Sequence, residues 1–241
     1  MFYNDYVSIS DQKYMAFKST KKLEKKLNRS LEAIILPNSK LALTWWGKMW
    51  NVNLERYAEY ENRLSRGKTY VKNGLVIDLQ ITEGHVSAYV QGKRKEPYHI
   101  NIDIEPTKSH IINKIKEKCQ GKLDTIEELI DGQFSKEIAE IFMFQGIGLF
   151  PEPKEIKFRC SCPDWTSCCK HVSATFYGIG SKLDSNPLLF FTLRGIDIDD
   201  FTKDVIVSKT KSVLEKGINC QSKRIIKDAD IDYLFDIKVE K

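Results

Sequence analysis

No apolar run in this 241-residue chain approaches the ~18 residues that a membrane-spanning helix needs. The opening residues, Met1-Phe2-Tyr3-Asn4-Asp5, lack the basic segment and following apolar stretch of a secretory signal. A cytoplasmic protein without a membrane partner is therefore expected. Three catalytic signatures are also missing: His-Glu-x-x-His, the deaminase-type His-x-Glu, and the Gly-x-x-x-x-Gly-Lys-Ser/Thr phosphate loop. Their absence argues against a zinc hydrolase and a P-loop ATPase, and no enzymatic activity or small-molecule substrate is expected. There is no internal repeat or low-complexity tract. Histidine is scarce, and three of the four (His85, His99 and His110) stand alone and read as surface or internally satisfied side chains.

What remains is globular in composition, with 41% hydrophobic and 29% charged residues. The length allows one large domain or two modest ones. Net charge is +5. Residues 1–106 hold 17 Lys/Arg against 12 Asp/Glu, whereas residues 107–241 hold 21 of each, so the basic excess lies wholly in the first half. That bias suits an anionic partner without requiring one.

Six cysteines are present, and four fall between residues 160 and 169: Cys160-Ser161-Cys162, then Cys168-Cys169-Lys170-His171. In a reducing compartment such clustering points to metal rather than disulfide. Three thiolates and one imidazole complete the tetrahedral set of a structural zinc. Cysteines two apart on an extended segment point to the same side, so Cys160 and Cys162 can converge. Pro163-Asp164 then turns the chain, and Trp165 could shield one side of the ion. The apolar face of Val172, Ala174, Thr175, Phe176, Ile179 and Leu183 makes the following segment a helix. Residues two apart within a helix diverge, so Cys169 can join His171 only from just before the helix proper. Cys168, three before His171, could join it from within the helix, and geometry alone leaves the two open. Cys119 and Cys220 read as small buried hydrophobes.

The expected architecture is α+β: an antiparallel four-stranded meander packed on helices, followed by helices and a small strand–turn–helix zinc knuckle. Residues 1–43 form an N-terminal extension with an amphipathic helix over Lys21–Leu36 (Leu23, Leu27, Leu31, Ile34, Ile35). In 44–106, a helix from Thr44 to Leu64 buries an aromatic stripe (Trp46, Met49, Trp50, Leu54, Tyr57, Tyr60), and residues 68–105 form the meander. Asn73-Gly74 reads as its first hairpin turn, Glu83-Gly84 as the second, and Gly92-Lys93-Arg94-Lys95 as the third. Leu75, Ile77, Leu79, Ile81, Val86, Ala88, Val90, Tyr98, Ile100, Ile102, Ile104 and Tyr70 make the buried face, resting on the Trp-rich helix. Residues 107–155 are helical, 156–185 hold the knuckle, and 186–241 form a C-terminal helical region carrying Phe201, Val205 and Leu214. In a meander the first and third turns share one end of the sheet. Lys72, Lys93, Arg94 and Lys95 are thus expected to converge on one rim as a nucleic-acid contact, with Arg63, Arg66 and Lys68 toward the other end.

The cluster resembles the SWIM zinc finger, Cys-x-Cys, a spacer, then Cys-x-His. The likeness extends to Thr44-Trp45-Trp46-Gly47-Lys48-Met49-Trp50, Tyr60-Glu61-Asn62-Arg63-Leu64-Ser65-Arg66-Gly67, Val90-Gln91-Gly92 and Leu189-Phe190-Phe191-Thr192-Leu193-Arg194-Gly195. Together these are similar to the bacterial SWIM zinc-finger family over roughly residues 40–200. The resemblance selects Cys160, Cys162, Cys169 and His171 as ligands of one structural zinc. SWIM fingers accompany bacterial Swi/Snf-type helicases and Mutator-type transposases and are regarded as DNA-binding or protein-interaction modules. It therefore implies a non-enzymatic module that binds DNA or RNA with little sequence preference, in connection with such a helicase. The alternative is an adaptor whose finger docks the helicase without touching nucleic acid. Loss of zinc is expected to unfold the knuckle and adjoining helix and spare the sheet.

Overall fold

The computed structural model describes residues 7–56, 61–120, 122–123, 125–164, 168–203 and 205, with the side chains of 61 and 62 excepted. Tyr57, Tyr60, Trp165, Leu214 and Cys220 lie outside these. Helix α1 spans Ile9–Leu27. It starts with a capping box, in which the Ser8 hydroxyl accepts from the Asp11 backbone and the Asp11 side chain returns to Ser8. It ends at Asn28, in the left-handed conformation that asparagine tolerates. The chain then runs extended beside the first strand: Ile34 N–H donates to Val76 O, and Leu79 N–H donates to Glu32 O. The expected helix over 21–36 is thus helical only as far as Leu27. Ile34 is buried and Ile35 exposed, the alternation of an extended segment.

The Trp-rich stretch forms α2 (Trp45–Arg56), and α3 (Glu61–Lys72) follows. Residues 68–72, expected to open the sheet, are therefore helical. Asn73-Gly74 supplies the helix stop instead of a hairpin. Gly74 takes φ +67°, its N–H donates to Val71 O at 2.9 Å, and Leu75 N–H reaches back to Tyr70 O at 3.1 Å. That bond pair is a Schellman motif, which needs positive φ just as a type I′ turn does.

The sheet is four-stranded and antiparallel, in the order β1 (Val76–Thr82), β2 (His85–Val90), β3 (Tyr98–Ile104), β4 (Ile156–Cys160). Its fourth strand arrives from the segment that leads into the cysteine cluster, after α4 (Ser109–Cys119), α5 (Ile126–Asp131) and α6 (Lys136–Met143). The expected Glu83-Gly84 turn joins β1 to β2, with Gly84 at φ +64°. Register aligns Ile81, Val86, Ile102 and Phe158 in one row, and Leu79, Ala88, Ile100 and Cys160 in the next.

Helix α7 (Lys170–Ser185) lies over this face, touching all four strands, while α2 and α3 pack on it from the other side. It is buried from His171 through Ser181. The sheet therefore rests chiefly on the helix that follows the cysteines rather than on the Trp-rich one. Trp46 and Trp50 are buried, as expected of a core stripe, and their indole N–H groups donate to Leu129 O and Phe176 O. Gly67 lets α3 and α7 approach, since a Cβ there would lie 2.5 Å from the Ser173 side chain. After α8 (Leu188–Leu193), Arg194 turns inward, donating to Leu149 O and Glu105 O beside Glu155. Among the described residues no helix is long and apolar enough to cross a membrane.

Candidate metal centre

Strand β4 delivers the first cysteine pair. Cys160 ends the Leu79–Ala88–Ile100 row on the core face, so its sulfur faces the start of α7. Pairing continues one residue further, because Ser161 N–H donates to His99 O while the Ser161 hydroxyl accepts from His99 N–H. The second pair comes from the helix entrance. Cys169 is the N-cap of α7, extended at φ −74°, ψ 167°, and His171 lies in the first turn. The divergence of residues two apart within a helix is thereby avoided.

The ligand atoms of Cys160, Cys162, Cys169 and His171 all lie within 4.8 Å of one another. Nδ1 of His171 is the ring atom turned on the sulfurs, 3.7 Å from Cys169 and 3.9 Å from Cys160. Its Nε2 is buried beside Gly92 and has no hydrogen-bond partner among the described residues. The imidazole is walled by Tyr98 (centroids 4.3 Å apart) and Tyr70 (5.5 Å). Such a Cys₃His cluster can hold a metal ion. Cys168 faces elsewhere, its sulfur 3.5 Å from the Ser173 hydroxyl.

The electrostatics of the four groups are coupled. Hydrogen bonding from the Cys160 thiol pulls the Cys169 pKa well below the usual thiol value against the opposing effect of burial, with His171 and the Val172 backbone N–H assisting. Cys160, on the donating side and also buried, is pushed up. A thiolate at a helix N-terminus is the favourable placement. Burial drives Tyr70 up to about 12 and raises Tyr98 too, so both stay neutral phenols at physiological pH.

Positive charge surrounds the ligands. Lys170, half-buried between Cys169 and His171 in sequence, has its pKa lowered first by burial and then by Lys93 and Arg66. Its ammonium sits 5.5 Å from the Tyr70 ring, and the Arg94 guanidinium lies 6.0 Å from the Tyr98 ring. Lys93, Arg94 and Lys95 are exposed on the 91–97 loop. Buried Gln91 shapes that loop, donating to Arg94 O and Gly92 O and accepting from Ser19. Lys72 is exposed in the last turn of α3, at the same end of the sheet, since Gln91 N–H bonds Leu75 O.

Arg66 was expected at the opposite end. Because 68–72 is helical, Arg66 sits one turn from Tyr70 and beside Lys170. Arg63 pairs with Asp164 at 3.0 Å and Lys68 with Glu55 at 2.7 Å. Sequence reasoning missed Lys170 and put Arg66 at the wrong end of the sheet. The available signal was Lys170's place between two ligands at a helix start. Gly67-Lys68-Thr69 lies inside α3 with Asn62 where a phosphate loop would need glycine, and so forms no such loop. Of the other histidines, His85 pairs with Asp103, His99 bonds Ser87 and stacks on Tyr89, and His110 is exposed. Cys119 is fully buried, which raises its pKa to about 11.

Against known proteins, the chain is similar to uncharacterized protein Rv2102 of Mycobacterium tuberculosis (strain ATCC 25618 / H37Rv). They are 30% identical over 203 residues, covering 80% of this chain and 73% of the relative. The chain belongs to that protein's family. The aligned length extends well beyond the ligand cluster, so the relationship concerns the fold as a whole. No protein-family model and no solved structure matches the chain.

Proposed function

We propose that this is a zinc-stabilised, non-enzymatic module of the SWIM type that binds DNA or RNA with little sequence preference, in connection with a Swi/Snf-type helicase. Zinc fits the donor set. Tetrahedral bonds of ~2.3 Å to sulfur and ~2.0 Å to nitrogen make ligand–ligand edges of about 3.5–3.8 Å. The sulfur–Nδ1 separations of 3.7 and 3.9 Å lie close to that. Zinc supplies cross-linking of β4 to α7, and four protein ligands leave no position for a reacting water.

The observation that supports the nucleic-acid reading is the set of cations at one end of the sheet: Lys93, exposed on the 91–97 loop, and Lys170, whose ammonium lies 5.5 Å from the Tyr70 ring. A surface whose cations repel one another gains when phosphates intervene. Arg94, Lys95 and Lys72 extend it along the same end of the sheet.

The test is the salt dependence of duplex binding by the zinc-loaded protein. If Lys72, Lys93, Arg94 and Lys95 each meet a phosphate, log affinity falls with log salt at a slope near −3.6, about −0.9 per contact. Arg94→Ala/Lys95→Ala should halve that slope. An unchanged slope removes the 93–95 loop from the interface.

A second reading, an adaptor docking the helicase by protein contact alone, is favoured by an apolar recess of about 230 Å³ lined by Trp50, Leu54, Leu64, Phe158 and Phe176. Partner capture that survives nuclease and high salt, without oligonucleotide binding, would select it.

A further inference from the structure

Helix α1 lies outside the stretch that resembles the zinc-finger family, and its outer face has an unusual make-up. The inner face, Gln12, Ala16, Ser19 and Leu23, is buried against the protein. Opposite it, the runs Tyr14–Phe17–Lys21–Lys25 and Tyr14–Lys18–Lys21–Lys25 step by three and four residues and share one exposed stripe. Tyr14 is 59% and Phe17 58% exposed, a large aromatic area for a surface helix. Each ring has a lysine one turn on, Lys18 over Tyr14 and Lys21 over Phe17, both at 4.3 Å. Between residues 13 and 26 there are six lysines and one acid, Glu24.

This stripe joins the basic loop. The Ser19 hydroxyl donates to Gln91 at 2.8 Å, and Lys22 pairs with Glu96 on the loop carrying Lys93, Arg94 and Lys95. Lys95 and Lys26 also act on Glu96. The positive surface therefore runs from Lys170 and Arg66, across the loop, and along α1.

We infer that the Tyr14–Phe17 face of α1 is a stacking platform for single-stranded nucleic acid. The inference rests on the nucleic-acid reading proposed above and specifies which form of the polymer the surface takes. The rings offer flat faces about 4.5 Å apart along the helix axis, near enough for neighbouring bases of one strand. Lys18, Lys21 and Lys25 swing off the rings onto the phosphates. A duplex hides its base faces and cannot use the rings, whereas an unpaired strand presents both bases and phosphates. A lipid surface fits less well. An interfacial helix inserts a broad apolar face, and here that face is turned into the protein, leaving only two rings outward.

The test compares binding of the full-length, zinc-loaded protein to a labelled 20-nucleotide oligothymidylate and to a 20-base-pair duplex by fluorescence anisotropy. The single strand should bind more tightly. Tyr14→Leu/Phe17→Leu keeps the apolar area but removes the rings. It should weaken single-strand binding about twenty-fold or more, leave duplex binding unchanged and keep the wild-type melting temperature. Tyr14→Phe alone should bind like wild type. Lys18→Ala/Lys21→Ala/Lys25→Ala should lower the single-strand salt slope by about 2.

Unchanged single-strand affinity in the double leucine variant overturns the platform while leaving the basic-loop reading intact. A wild-type protein that binds neither oligonucleotide overturns both. Binding to phosphatidylserine vesicles in place of oligonucleotide overturns the platform in favour of a lipid surface.

Discussion

The indole N–H of Trp50 donates to the backbone carbonyl of Phe176 at 2.9 Å, bolting α2 to the middle of α7, five residues beyond His171. The Cys₃His cluster is therefore attached to the hub of the core. Helix α7 carries two of its members at the entrance and meets β1, β2, β3, β4, α2 and α3 along its length. A knuckle that melts alone while the sheet persists does not suit this arrangement, since β4 is itself a sheet strand. Removing zinc with a chelator should lower the melting temperature of the sheet and the tryptophan core together, followed by far-ultraviolet dichroism and tryptophan fluorescence. Loss of the knuckle signal with an unmoved core transition would contradict this.

The two adjacent cysteines should behave differently. Cys169→Ser should abolish stoichiometric zinc, whereas Cys168→Ala should retain it. The Ser173 hydroxyl keeps its bond to Cys169 O when the Cys168 sulfur is gone. The small cavity left should cost about 1–2 kcal/mol. Elemental analysis and denaturant titration of both variants check the pair, and metal loss from Cys168→Ala would reverse the assignment.

Gly92→Ala should weaken metal binding without touching a ligand. A Cβ there would meet the Tyr98 ring at 2.4 Å and His171 Nε2 at 3.1 Å, displacing the wall that holds the imidazole. Competition against a chromogenic chelator should show a weaker site, by about tenfold if the effect matches that of other outer-shell changes. An unchanged affinity would mean that Tyr98 yields freely.

Asp78 gives the fold a pH dependence. Burial raises its pKa, but Arg29, the Glu32 backbone N–H and Gln80 together outweigh this, and the net shift is downward. A carboxylate with a depressed folded pKa stabilises above its unfolded value, and the contribution fades as pH falls through the folded one. Asp78→Asn should therefore cost about 1.5–3 kcal/mol at pH 7, a difference that shrinks below about pH 4. Urea unfolding at pH 7, 5 and 3 tests this, and a constant difference would refute it.

The Cys/His cluster was legible because its information is local: twelve residues hold all four groups, and the constraint on Cys169 follows from helix geometry. The rows of β2 and β3 were legible through strict alternation. Asn73-Gly74 misled because a left-handed residue serves a helix stop as well as a hairpin, and only the bonds to Tyr70 and Val71 distinguish them. The Leu31, Ile34 and Ile35 pattern fits helix or extended chain, and pairing with Val76 and Leu79 decided it. That β4 completes the sheet was hidden because its partner in β3 is more than fifty residues away. Arg66 was misplaced as a consequence of the first error.

Strand β1 has its outer rim occupied by the 29–36 segment through Glu32 and Ile34, and the opposite rim, β4, is five residues long and carries Lys157 and Arg159. Among the described residues, neither margin offers another chain a long, flat row of unpaired amides, which is how sheets recruit neighbours into aggregates. The protein should remain monodisperse when concentrated, and trimming the chain before Ile34 should be what first makes it self-associate.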